Sequence, residues 1–126
     1  MKSILLLLFL SICFLSICQF NTQDQVTNYL NEKKFYNYEK KVTVSYGFLS
    51  SYNAYAIKCV FNEHLNVPGE LNLEYYEQVY IDCEIKPKGD NAEVSGRRDN
   101  GADEIFSFTI YDDKIWVQGT SYFLKH

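Results

Sequence analysis

Side chains able to do chemistry are few in this chain, and they gather in one stretch. In SGRRDNGADEIF, residues 95–106, Arg97, Arg98, Asp99, Asp103 and Glu104 surround Asn100-Gly101. Three converging acids would hold a divalent cation, and two arginines would hold an anion. The acid spacing is not that of an EF-hand loop. Asn-Gly is a strong hairpin signal, because both residues tolerate positive φ. The stretch therefore reads as a turn. A two-residue loop would set Arg97 opposite Glu104 and Arg98 opposite Asp103. A three-residue loop, with Gly101 as a bulge, would set Val94 opposite Phe106. The second is expected, since burying the correct strand face outweighs exposed ion pairs worth about 0–1 kcal/mol.

Elsewhere the chemistry is sparse. There is no nucleophile elbow, phosphate loop, H-E-x-x-H or CxxC. The histidines are His64 and His126. His64, beside Glu63 and five residues from Cys59, could serve as a base for that thiol or for a hydrolase using Glu63 or Glu77. Glu74 and Glu77 point to opposite faces of a strand and make a poor acid/base pair. Glu77 interrupts an apolar face, which makes it either an outward-turned residue or a candidate buried polar anchor.

The elements that must position these groups begin after residue 18. MKSILLLLFLSICFLSIC has a positive start, an apolar core from Ile4 to Ile17 and small residues at Ser16 and Cys18. This is the pattern of a cleaved secretory leader (1–18), followed by a single domain at 19–126 and an extracellular destination. Removing Lys2 takes the formal charge from −4 to −5. That modest acidic balance predicts neither nucleic-acid nor anionic-membrane binding. Cys59 and Cys83 remain after the leader, and in an oxidising compartment one disulfide is expected, worth about 3–4 kcal/mol. No cofactor or metal is expected.

Thr22 and Gln25 have capping-box spacing ahead of a helical stripe, Val26, Tyr29, Leu30 and the stem of Lys33. From Val42 the period becomes two. Val42, Val44, Tyr46 and Phe48 form one apolar face, then Tyr55, Ile57, Cys59 and Phe61. After a loop at 66–72 follow Leu73, Tyr75, Val79, Ile81, Cys83 and Ile85. Short strands follow around Val94, at Ile105–Tyr111 and at Lys114–Leu124. A two-residue Asp112-Asp113 loop sets Ile110 against Ile115 and Phe108 against Val117. The expected fold is α+β, an N-terminal helix packed on a curved antiparallel sheet of about six strands. That arrangement is similar, in architecture alone, to the cystatin-like or NTF2-like rolls. The inhibitory Gln-x-Val-x-Gly of cystatins has no counterpart, the nearest stretch being Trp116-Val117-Gln118-Gly119.

Aromatic residues are unusually frequent, with eleven Tyr, nine Phe and one Trp. In this alternation Tyr76, Tyr80, Tyr111, Trp116 and Tyr122 fall on faces opposite the core and form a candidate contact surface. The leading expectation is a secreted, non-enzymatic protein that binds another extracellular protein or macromolecule through that surface or the hairpin ends. The alternative is a carrier enclosing a small apolar ligand with Glu77 as its anchor, and a small hydrolase using His64 comes third.

Overall fold

The computed structural model describes residues 20–62, 76–111 and 113–125. The leader, Glu63, His64, Glu74 and His126 lie outside the described residues. The fold differs from the expected helix-on-sheet layer. Eight strands form a closed antiparallel barrel in simple sequence order. They are β1 (Lys34–Asn37), β2 (Val42–Leu49), β3 (Ala54–Phe61), β4 (Tyr76–Pro87), β5 (Asn91–Arg98), β6 (Ile105–Tyr111), β7 (Lys114–Val117) and β8 (Thr120–Leu124). The ring closes where β1 pairs with β8, Phe35 opposite Leu124 and Tyr36 opposite Phe123.

The reason is one of area. The only helix among the described residues, α1 (Gln23–Leu30), has eight residues, about 12 Å of length. That is too short to cover a sheet face. The sheet instead buries its apolar face against itself, and closure removes both edges. The helix closes one end. Val26 and Leu30 reach the core from it, and Phe20 bridges Gly89 in the β4–β5 turn. The capping box forms as expected, with Gln25 N–H donating to Thr22 Oγ1 at 3.2 Å and Thr22 N–H to Gln25 Oε1 at 3.1 Å.

Inside the barrel lie Phe35, Val44, Ile57, Cys59, Val94, Phe108, Ile110 and Ile115, all buried. Those on β2, β3 and β6 follow from the period-two reading of these strands. The β6–β7 register is as expected, with Ile110 opposite Ile115. Three local features depart from it. β4 carries a bulge between Ile81 and Glu84, with Asp82 at φ 53. The expected Lys114–Leu124 strand is broken by a two-residue turn, Gln118-Gly119, both at positive φ and flanked by Val117 opposite Thr120. Finally, neither expected register holds at Asn100-Gly101. Val94 faces Phe108 and Arg97 faces Ile105, so the loop is longer. Ala102 N–H donates to Asn100 Oδ1 at 3.0 Å, and Arg98 closes the loop against Glu104 at 3.2 Å. This register keeps Val94, Gly96 and Arg98 on the inner face.

Candidate functional site

The bulge and the extra turn decide which aromatic residues can act together. Because each shifts the alternation by one, residues on either side exchange faces. Tyr76, Gln78 and Tyr80 therefore point inward, as do Cys83 and Ile85 beyond the bulge, while Val79 and Ile81 share the outer face with Glu77. Tyr122 is likewise inside and Phe123 outside. The five-residue contact surface expected from the sequence divides accordingly. Tyr80 and Tyr122 are buried in the barrel. Tyr76 stacks on Phe61 at its rim, centroids 4.5 Å apart. Only Tyr111 and Trp116 stay outside, edge to face at 5.9 Å. Glu77 is not a buried anchor. It stands opposite Val60 on the outer surface, 3.8 Å from Lys58 Nζ.

The end of the barrel away from α1 is the mouth, and inward side chains of five strands form a polar cluster beneath it. Arg98 pairs directly with Tyr80 across β5 and β4. Its guanidinium carbon lies 5.7 Å from the centre of that ring, and Phe106 packs on the ring's other surroundings at 5.0 Å. The Tyr80 hydroxyl donates to Gln78 Oε1 at 3.1 Å. Cys59, on β3, faces Gln78, and Tyr122 lies within electrostatic reach of Cys59. Arg98 gives one nitrogen, Nη1, to Glu104. Its Nε is buried and has no hydrogen-bond partner. A buried donor left unpaired costs about 1–3 kcal/mol, more on a charged group, so an acceptor reaching this nitrogen would be favoured.

Protonation at the cluster follows from burial. Desolvation pushes the Cys59 thiol up to about 12, with Arg98 pulling it down and Glu104 pushing it further up. Tyr80 is raised by burial first, then by Cys59 and Glu104, and Arg98 offsets part of this. Burial, then Cys59, raises Tyr122. At neutral pH these groups are neutral hydrogen-bond donors, and a thiol so raised is a poor nucleophile. Arg98 is the cluster's fixed positive charge. The mouth can thus offer an anion a guanidinium, hydroxyl donors and aromatic walls.

Cys59 and Cys83 are both free. The structure does not bring the two to bonding distance: Cys59 sits opposite Gln78, while Cys83 lies past the bulge, its thiol donating to the Tyr80 carbonyl at 3.4 Å. The acids of the opening motif do not converge. Asp99 accepts from the Tyr52 hydroxyl, Glu104 pairs with Arg98, and no group of three metal-ligating side chains occurs among the described residues. A concavity of about 430 Å³ lies between α1 and the β2–β3 hairpin, lined by Asp24, Thr27, Tyr46, Tyr55 and Cys83 among others. No lysine or arginine lines it among the described residues, nor any orphaned donor like Arg98 Nε. Sequence reasoning missed Arg98 as an inward residue. The signal was present in the V-S-G-R-R alternation running from Val94 to Arg98, but the turn reading assigned the second arginine to an exposed ion pair. No protein-family model, curated protein or solved structure matches this chain.

Proposed function

We propose that the protein is a secreted, non-enzymatic binding protein that takes a small anion with a flat or apolar body into the barrel mouth. The observation that carries this reading is the unpartnered, buried Nε of Arg98, set beside the Tyr80 ring. With Nη1 on Glu104, Nε is left to donate to a carboxylate, sulfonate or phosphate oxygen, and charge-assisted bonds of this kind are the strong ones. The rings of Tyr80 and Phe106 would take the ligand's apolar body. Export rests on the leader-like first 18 residues. The neutral thiol and phenols of the cluster support binding over nucleophilic chemistry. The packed centre of the barrel favours a ligand held at the mouth over one enclosed in the middle, where eight-stranded barrels have room either for side chains or for one small molecule.

The test is a fluorescence titration with anilinonaphthalene sulfonate, an anion on a flat aromatic body, against the native protein and Arg98→Gln. Saturable binding is expected, weakened roughly tenfold or more in the variant, as loss of one charge-assisted bond of about 1.5–3 kcal/mol implies. Near-ultraviolet circular dichroism checks that both remain folded. Equal affinity in the two proteins would remove Arg98 from the site and the reading with it.

A further inference from the structure

The outer surface of the barrel is sorted by charge in a way the composition conceals. Among the strands, acidic residues occur only on β4 (Glu77, Asp82, Glu84) and β5 (Glu93). The ion pairs Lys58–Glu77, Lys86–Glu84, Lys88–Glu93 and Arg97–Asp82 all belong to that side. On the other side, β1, β7 and β8 carry no acid within their strands. Their outward positions form a continuous row. Tyr111 faces Lys114, Lys114 faces Phe123, and Phe123 faces Tyr36. Directly opposed residues point the same way, so this row lies on one surface. Trp116 is two residues beyond Lys114, and Tyr38 packs edge-on against Tyr36 at 4.7 Å. Lys125 lies over the Tyr36 ring at 5.5 Å, next to Lys34. The acids near this face, Glu32, Glu39 and Asp113, stand in turns at its rims.

Within the row three large rings stay in water: Tyr38 is 75% exposed, Phe123 56% and Trp116 47%. Trp116 and Phe123 sit on adjacent strands and Tyr38 one residue past the end of the next, β1; with strands about 4.8 Å apart, one footprint of roughly 10–15 Å covers them. The geometry points to a peripheral membrane-docking face, at which Trp116, Phe123 and Tyr38 enter the headgroup region of an anionic bilayer while Lys34, Lys114 and Lys125 meet its negative charge. Amphipathic rings settle at that depth, and each lysine near an anionic surface contributes about fivefold in partitioning. A soluble polyanion would use the same lysines but has no use for Phe123, a wholly apolar ring left in solvent. That is why a lipid surface is the better occupant. No helix among the described residues is long and apolar enough to span a membrane, and contact through this face needs none.

Trp116 is the only tryptophan in the chain and so reports directly on the face. The experiment adds phosphatidylcholine vesicles, with and without phosphatidylserine, to the secreted full-length protein, and follows Trp emission and co-sedimentation. The expected result is a blue shift and sedimentation with the phosphatidylserine vesicles only, both reversed by high salt. Phe123→Ser with Tyr38→Ser should weaken partitioning at least tenfold. Lys114→Glu with Lys125→Glu should abolish the preference for anionic vesicles. All four side chains lie outside the barrel interior, and far-ultraviolet circular dichroism checks that each variant is folded. Unshifted emission with phosphatidylserine vesicles overturns the proposal. So does undiminished partitioning of the ring variant, or capture by heparin with the same affinity in the ring variant as in the parent. Mouth binding of anilinonaphthalene sulfonate is read separately and is independent of these outcomes.

Discussion

Cys59 has the strongest individual consequence for stability. Its thiol is buried and raised from 9.0 to about 12. An unfolded chain would release that proton near pH 9, whereas the folded chain keeps it until about 12. Between these values the folded state binds more protons, so stability falls as pH rises, by about 1.4 kcal/mol per pH unit for one group. Tyr46, raised from 10.0 to about 12 by burial first and Cys83 second, steepens the fall above pH 10. Urea unfolding should therefore give a constant stability through neutral pH and a decline beginning near pH 9. Cys59→Val should flatten the first part of that decline, and an unchanged slope would mean the thiol is not buried as described. The same thiols give a chemical readout. A chain beginning at Gln19 should show two thiols to Ellman's reagent once unfolded. In the native state Cys83 should react before Cys59, since Cys83 is only partly buried and Cys59 fully.

At the scale of elements, β1 (Lys34–Asn37) is too short to show a period and was not expected, but the longer strands, their antiparallel order and the helix cap were legible, because each rests on a pattern confined to a few neighbouring residues. Two small features were not. The bulge at Asp82 left only an indirect mark, Glu77 interrupting the apolar face, since Ile81-Asp82-Cys83 itself continues a regular alternation that the backbone breaks. The Gln118-Gly119 turn lacks the usual Asn or Asp, and only Gly119, at φ 81, could have announced it. Each miss inverted a strand face, placing Tyr76, Tyr80 and Tyr122 outside when they belong inside, and Phe123 inside when it belongs outside. The candidate site was hidden for that reason, although its residues had been noticed. Gly96 is the bulge's support on β5. A Cβ there would lie 3.0 Å from Cys83 Sγ and 3.2 Å from the Tyr80 carbonyl oxygen, one of them backbone that cannot move away cheaply. Gly96→Ala should destabilise by about 1–3 kcal/mol. Gly47, on β2, has open space about it and no positive φ. There alanine should be neutral or stabilise by up to about 1 kcal/mol. Thermal melts of the two variants should move in different directions; equal losses would show that the β4–β5 approach is not tight.

For the whole molecule the governing fact is closure, and it depends on the narrowest pairing. β1 has four residues and meets β8 through two register pairs, reinforced by Lys125 N–H to the Lys34 carbonyl at 2.8 Å and by Asn37 Nδ2 to the Ser121 carbonyl at 3.0 Å. So little hydrogen bonding cannot by itself hold an eight-stranded ring shut. What holds it is packing on both sides of the seam. Phe35 fills the inside, 1% exposed between Val44 and Leu124, and Tyr36 is covered outside by Tyr38 and Lys125. An open seam would present two unpaired edges, the feature through which sheets join other chains. Phe35→Ala should therefore do two things. It should cost about 3–5 kcal/mol, as removal of a buried phenyl ring does. It should also accelerate amide exchange on β1 and β8 ahead of β3–β6, with concentration-dependent association that the parent lacks. If exchange instead rises equally on all strands, the barrel opens only by complete unfolding, and its closure is a property of the entire core and not of the seam.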